Sequence, residues 1–400
     1  MKTIIIMTVC LLFLLPNVNK DDQATKNSLQ TIDIAGNMDN LKQVNLSQFT
    51  NDIKYIPFET REDAPLRLTY NLDISDNYIV TTDGNSCLLY DLSGHFIRKF
   101  GTKGRGPEEY QFITNLNIIK DKKVFFMSVP DLIEFNIDGS FSKRYSNCFL
   151  IDQKYGLVNW HFVDDTLYLG VVDNMRGQEE FKALLVNKYG VVKNKFRNYD
   201  MLEFKGDRIF NGLPKLFEFN NSVFLKQQFN DTLFSLNKKY ELVPQYIFNL
   251  GKYGVPKDVR TTFPPIINDY FYINDLFLTP NYLFLNVNFG KKIPSQVLGI
   301  YDKKSKETIF CKPTNSENPL PRTGIINDVD AGPMFFPIKI INDYTMAMVI
   351  EAKQLKDHVR SNDFKNNVPK YPDKKKQLEE LANKLTEFDN PILILVTFKK

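Results

Sequence analysis

The sequence predicts an all-β chain, and three observations carry that prediction. From Ile53 onward, apolar runs of four to seven residues recur with turn residues between them, as many short strands require. A unit of apolar strand, polar turn and second strand repeats along the chain, with Gly94, Gly139 and Gly190 at three of the turns, 45 and 51 residues apart. Apolar segments near both ends are able to complete one sheet. Periods of roughly 40 to 50 residues, each supplying about four strands, match the blades of a propeller, because one blade cannot bury both faces without neighbours. The expected architecture is a six-bladed β-propeller closed by N- and C-terminal strands.

The hairpins that support this count are Leu88 to Ile97, Ile133 to Phe141, Leu184 to Phe196, Thr232 to Phe248 and Val297 to Cys311. Further strands are expected at Tyr78 to Thr82, Lys123 to Ser128, Thr166 to Val171, Val223 to Gln227 and Tyr282 to Phe289. At the end of the chain, Phe336 to Ile341, Thr345 to Ile350 and Ile392 to Phe398 read as strands. Ile53 to Phe58 is placed to complete that last sheet and so remove an open edge. Between them, Leu378, Leu381, Leu385 and Phe388 fall at helical spacing, with Asp373 at the start and Asn390-Pro391 past the end. One amphipathic helix is therefore expected over 373–388, packed on a rim of the propeller or turned towards a membrane or partner.

Ahead of the strands, Met1-Lys2 and the apolar run Thr3 to Leu15, broken by Pro16, have the pattern of a secretory signal. At thirteen residues this run is short for a membrane-spanning helix, which needs roughly 17–25. Residues 21–52 are polar, rich in Asn, Asp, Gln and Lys, and read as a linker or tether. The expected division is a signal peptide over 1–20, a linker over 21–52 and the propeller over 53–400. An exported protein follows, in the periplasm or at the cell surface, with membrane attachment through its N-terminus open.

Composition removes several function classes. At 43% hydrophobic and 24% charged the chain is globular rather than disordered. A net charge of +4, from 51 basic and 47 acidic residues, is spread along the chain apart from Lys374-Lys375-Lys376, so nucleic acid is not an expected partner. The 33 Phe and 19 Tyr suit sheets packed face to face, while the single Trp160 argues against a sugar site built on indoles. Beyond Cys10 of the leader, Cys87, Cys148 and Cys311 are an odd set with no regular spacing, and His95, His161 and His358 are far apart, so neither a disulfide framework nor a structural zinc site is expected.

Three segments are candidates for chemistry. Gly101-Thr102-Lys103-Gly104-Arg105-Gly106-Pro107-Glu108-Glu109-Tyr110 is a Gly-rich loop between blades. It is readable as an anion nest, with Arg105, Glu109 and Tyr110 as ligand-binding residues, or as a tight turn with Arg105 paired locally. It lacks the Gly-Lys-Ser/Thr ending of a phosphate-binding P-loop. Asn327-Asp328-Val329-Asp330-Ala331-Gly332 alternates carboxylates like the opening of a calcium loop, but the twelfth position from Asp328 is Lys339, not Glu. Asp328 and Asp330 are the candidate metal ligands, with calcium the metal they would take and a plain structural turn the other reading. His161, beside Trp160 and ahead of Asp164-Asp165, is a candidate ligand contact or a general base oriented by a carboxylate, although no Gly-x-Ser-x-Gly nucleophile motif accompanies it.

The run from Gly101 to Tyr110 resembles a family pattern when taken with Asp52-Ile53-Lys54-Tyr55-Ile56-Pro57-Phe58-Glu59-Thr60, Phe229-Asn230-Asp231-Thr232-Leu233-Phe234 and Asn390-Pro391-Ile392-Leu393-Ile394-Leu395. The pattern is that of the six-bladed, NHL/TolB-like β-propeller proteins of Bacteroidetes, which are exported, often lipidated and largely uncharacterised. The resemblance covers nearly all of the chain after Ile53 and implies fold and export. This chain departs from lipidated members because Met7-Thr8-Val9 ahead of Cys10 is not a lipobox. The function expected is that of a non-catalytic cell-envelope binding or scaffold protein, presenting propeller-face loops to a glycan, peptide or envelope protein and needing no cofactor. The alternative is a calcium-dependent hydrolase or lyase with its site in the central channel.

Overall fold

Each repeat of strand and turn folds into an antiparallel sheet, and six such sheets stand around a central channel. The computed structural model describes residues 29–66, 71–203, 214–261, 267–291, 295–313 and 322–400. From the channel outward, the first blade is Asn71–Ile74, Tyr78–Thr82, Cys87–Asp91 and Phe96–Phe100. The second is Asn115–Ile119, Lys123–Ser128, Asp131–Asn136 and Phe141–Tyr145. The third is Tyr155–Phe162, Leu167–Val172, Phe181–Asn187 and Val192–Arg197, with the short Leu150–Ile151 on its inner edge.

The fourth blade is Lys215–Phe219, Ser222–Lys226, Thr232–Leu236 and Leu242–Asn249, and the fifth is Tyr272–Leu278, Tyr282–Asn288, Gln296–Asp302 and Thr308–Cys311. In the sixth, Lys339–Asn342, Thr345–Ile350 and Ile392–Thr397 are joined by Ile53–Pro57 as the outermost strand. The register runs from Ile392 opposite Pro57 to Val396 opposite Ile53. One sheet thus contains both ends of the ring, as the terminal apolar segments predict.

The second and third strands of each blade have blades on both sides, so apolar residues fill both faces and the strands read as continuous apolar runs. Every residue of Leu167–Val172 is buried. The core accordingly lies between blades. Leu89, Phe100, Leu116, Phe126 and Phe135 pack together between the first and second, and Met127, Leu132, Phe149, Trp160 and Tyr168 between the second and third. Hairpin turns follow local rules: Gly94, Gly139 and Gly190 have φ of +89°, +88° and +81°, a region that side chains with a Cβ avoid.

The linker expected over 21–52 is corrected where the chain is described. Gln30–Asp33 adds a parallel fifth strand outside the fourth blade, with Ile32 opposite Phe248, and Leu41–Lys42 does the same outside the fifth. Ile32, Ile34, Val44, Leu46 and Phe49 are all buried. Only one side of this belt faces the core, so its apolar residues are interleaved with Asn, Asp and Lys, and the composition alone reads as a tether. The proposed signal segment and residues 21–28 lie outside the described residues.

One helical turn, α1 (Lys257–Arg260), follows the fourth blade; three more helices form an insert between strands of the sixth, α2 (Ala352–Arg360), α3 (Asn362–Asn366) and α4 (Pro372–Lys384). A capping box of Glu351 and Gln354 starts α2, the Ser361 hydroxyl caps α3, and Pro372 opens α4, where its missing N–H is no loss. The expected helix over 373–388 is therefore shorter: Asp373 sits in its first turn rather than at the cap, and Leu385 ends it. Leu355, Val359, Phe364, Leu378 and Ala382 bury the insert against the propeller, while Phe388 is 85% exposed.

Candidate functional site

The innermost strands meet at a cavity of about 840 Å³, to which all six blades contribute. Three of those strands carry an internal repeat of 44 residues: Asn71-Leu72-Asp73-Ile74, Asn115-Leu116-Asn117-Ile118 and Asn159-Trp160-His161-Phe162. Alternation along a strand sends Leu72, Leu116 and Trp160 into the core and leaves the polar residues on the channel side.

The first polar position builds a ladder across blades. Asn71 Nδ2 donates to Asn115 Oδ1 at 2.7 Å, Asn115 Nδ2 donates to Asn159 Oδ1 and the Trp160 carbonyl at 3.0 Å each, and Asn159 Nδ2 donates to the Pro214 carbonyl at 3.0 Å. The side-chain oxygens of Asn115 and Asn159 also accept the N–H groups of Leu116 and Trp160, at 2.8 Å. Adjacent inner strands are thereby tied to one another without sharing a sheet.

The second polar position, two residues on, differs from blade to blade and gives the channel its chemistry. Asp73 accepts from the Ile118 N–H at 3.0 Å and from Asn117 Nδ2 at 3.3 Å, and faces Lys339 Nζ of the sixth blade at 3.5 Å. Lys339 also donates to the Leu72 carbonyl. Across the channel, Lys215 and Asp275 pair at 2.7 Å between the fourth and fifth blades. Burial raises the pKa of Asp275, against which Lys215 acts to lower it.

His161 takes the equivalent place in the third blade. Its Nδ1 is 2.8 Å from the Phe162 carbonyl, which only accepts, so Nδ1 carries the proton and Nε2 keeps its lone pair. Burial lowers the pKa of the ring; the Phe162 carbonyl and the charges of Asp73 and Glu218 oppose this, and Lys339 adds to it. The carboxylate expected to orient His161 is not the one beside it in sequence, because Asp164 instead accepts from the N–H groups of Thr166 and Leu167 in the next turn. What made His161 a candidate was its neighbours; what places it in the channel is the 44-residue repeat.

The remaining sequence candidates stand elsewhere and do not converge. In the Gly-rich loop, Glu109 turns inward and its Oε2 accepts from the Gly106 N–H at 2.7 Å, so the chain's own carboxylate fills the nest. A Cβ on Gly104 would lie 2.0 Å from that oxygen and would push the carboxylate out of the nest. Arg144 clamps the loop from the next blade through the carbonyls of Gly106, Pro107 and Glu109. Arg105 is exposed on the outside of the loop, and Tyr110 is in the core, edge-on to Phe126 at 5.2 Å between ring centres.

Asp328 and Asp330 likewise answer to separate partners. Asp328 accepts from Ser47 N and Oγ at 2.8 and 2.6 Å, fixing the N-terminal belt. Asp330 is buried, accepts from the Gly332 N–H at 2.8 Å and from the Tyr55 hydroxyl at 3.2 Å, and has its pKa raised by that burial. Among the described residues no three His, Cys, Asp or Glu side chains are gathered where a metal is held. Cys87, Cys148 and Cys311 are buried free thiols.

Residues 29–397 match the model of a domain of unknown function, DUF4934. The chain belongs to this family. No curated protein matches this DUF4934 sequence. Among solved structures, the DUF4934 propeller is similar to a Bacteroides fragilis protein described as exported, with a TM-score of 0.70 and 16% identity over 93% of this chain and 100% of that one. It is also similar to a member of the DUF4221 family from Bacteroides vulgatus, with a TM-score of 0.51 and 10% identity over 88% of this chain and 99% of that one. At such identities the likeness concerns the fold, and the chemistry of the DUF4934 channel rests on its own residues.

Proposed function

We propose that the protein is an exported binding protein of the cell envelope, periplasmic or surface-facing, whose glycan or peptide ligand enters the mouth of the central channel. One observation carries this reading: a polar cavity of about 840 Å³ to which every blade gives a strand, with the inner-strand lysines Lys215 and Lys339 held in ion pairs rather than left to move. Such a site has the size of an ordinary ligand pocket and a rigid outline, the condition for selective recognition at low ordering cost. Export is supported by the Thr3 to Leu15 segment and by the likeness to the Bacteroides fragilis protein described as exported.

The test is a thermal-shift screen of a broad glycan and peptide panel against the wild-type protein and a Val158→Trp variant. Val158 lines the cavity and is 42% exposed, so an indole there narrows the mouth without entering the core. A channel ligand at a hundredfold excess over its Kd adds about 2.7 kcal/mol to wild-type stability. The variant should lose that gain. Equal stabilisation of both proteins by every hit would place the binding site elsewhere.

A further inference from the structure

The charges around the channel mouth do not cancel. Three lysines line the cavity, and each has an aspartate partner: Lys120 with Asp165 at 2.6 Å, Lys215 with Asp275 at 2.7 Å and Lys339 with Asp73 at 3.5 Å. Two carboxylates are left over. Asp164 is engaged by the turn it caps. Glu218 is exposed and has no ion-pair partner among the described residues.

Glu218 projects from the inner strand of the fourth blade, beside the third blade that carries His161, and its charge acts on the His161 ring. The Nε2 lone pair of His161 has no protein donor among the described residues, because the ring's single proton is committed to the Phe162 carbonyl. The Asn71, Asn115, Asn117 and Asn159 amide groups already donate within the protein. The mouth therefore offers a carboxylate and a neutral acceptor on adjoining blades, while its lysines and amides are turned to partners of their own.

We infer that the channel mouth receives a protonated amine or guanidinium group of the ligand, shared between the Glu218 carboxylate and His161 Nε2; this rests on the channel being the ligand site. An ammonium supplies three N–H donors and a guanidinium five, and both carry the charge that Glu218 lacks. A carboxylate or phosphate ligand would meet Glu218 unfavourably and would have to compete with aspartates for the lysines. The chemistry points to a basic peptide, a free peptide N-terminus or an amino sugar rather than to a neutral or acidic glycan.

The probes are n-butylammonium, n-butylguanidinium, n-butanol and butyrate, titrated into protein labelled with 15N in its histidine rings. The His161 signals are identified by their absence from a His161→Asn variant. Both cations should move the His161 ring signals, and Glu218→Gln should weaken them roughly ten- to hundredfold, as expected for a lost hydrogen bond to a charged group. The alcohol and the carboxylate should leave the ring signals unmoved. If butyrate or butanol moves His161 as strongly as the cations do, or Glu218→Gln changes nothing, the channel remains the site and the charge inference fails. Cation binding that leaves His161 silent and survives Val158→Trp overturns the channel reading itself. No response to any probe at its solubility limit overturns the charge inference, and the glycan and peptide panel then judges the channel separately.

Discussion

Asn115 is the rung on which the inter-blade ladder depends, and Asn115→Asp tests whether the ladder stabilises the ring. Four hydrogen bonds meet at this side chain, two donated by Nδ2 and two accepted by Oδ1. The aspartate is nearly isosteric and keeps both accepted bonds, but it sets an oxygen 3.0 Å from Asn159 Oδ1 and 3.0 Å from the Trp160 carbonyl. The Trp160 carbonyl and Asn159 Oδ1 each lose the amide donor, but Asn159 Oδ1 keeps the Trp160 N–H, so the substitution should cost about 1–3 kcal/mol, as for one half-buried acceptor left unpaired. Asn115→Ala, which leaves room for channel water to replace the lost partners, should cost less. Trp160 is the only tryptophan, is 1% exposed and neighbours Asn159, so urea unfolding followed by its fluorescence reports on this part of the ring. An Asn115→Asp protein within about 0.5 kcal/mol of wild type, the range of an ordinary surface change, would refute the ladder as a structural tie.

Deleting Asn390 to Lys400 removes Ile392, Leu393, Ile394, Val396 and Phe398, all at most 4% exposed. At about 1.5–3 kcal/mol each this is roughly 8–15 kcal/mol, as much as an ordinary domain's net stability, so cooperative unfolding should vanish in calorimetry and an unchanged melt would count against ring closure. Gly94→Ala should destabilise by at least about 1–3 kcal/mol, because its φ is +89° and a Cβ would meet the Pro57 carbonyl at 2.2 Å. Gly156→Ala, whose nearest neighbour would be Asp173 Cβ at 3.9 Å, is the control, and equal melting of the two variants would undo the argument.

His358 gives a pH signature. Its Nε2 donates to the Ala331 carbonyl at 2.8 Å, and burial lowers its pKa despite that carbonyl and the charge of Asp363. The unfolded chain, with an imidazole pKa of about 6.5, therefore takes up the proton first, so the histidine's contribution is full above that pH and is lost as pH falls below it. The stability difference between wild type and His358→Gln, measured by denaturant melts, should shrink in that direction; a difference that stays constant would mean the ring is already charged in the fold.

The parts of the fold that were legible in the sequence are those where burial is two-sided. Leu88-Leu89-Tyr90 and Leu184-Leu185-Val186 are continuous apolar runs because blades press on both faces, and such runs stand out against any background. Closure by Ile53–Pro57 was legible for the same reason, since Ile392 to Val396 needed a partner and few apolar segments remained. Most of the channel-lining strands were not legible. Asn71–Ile74 and Asn115–Ile119 alternate core and channel residues over only four or five positions, and the polar half of that pattern looks like a loop. The belt over 29–52 was misread in the same way, one buried side chain at a time.

The 44-residue recurrence of Asn-Leu-Asp-Ile, Asn-Leu-Asn-Ile and Asn-Trp-His-Phe was nevertheless present in the sequence, and it carries information that the hairpin glycines do not. Hairpin turns repeat because strands must reverse, so their spacing stretches with every loop: 45 residues, then 51. Inner-strand asparagines repeat because each must reach the next across the channel wall, which fixes both their register and their chemistry. The ladder ends at Pro214, where a backbone carbonyl replaces the fourth amide, and there the sequence period breaks as well. Of the positions inside this geometric repeat that change residue, Asp73 and Asn117 still tie the first two blades to each other, whereas His161 keeps its Nε2 lone pair outside the ring's own bonding. With Glu218 on the adjoining blade, that position is where the proposed ligand would meet the channel.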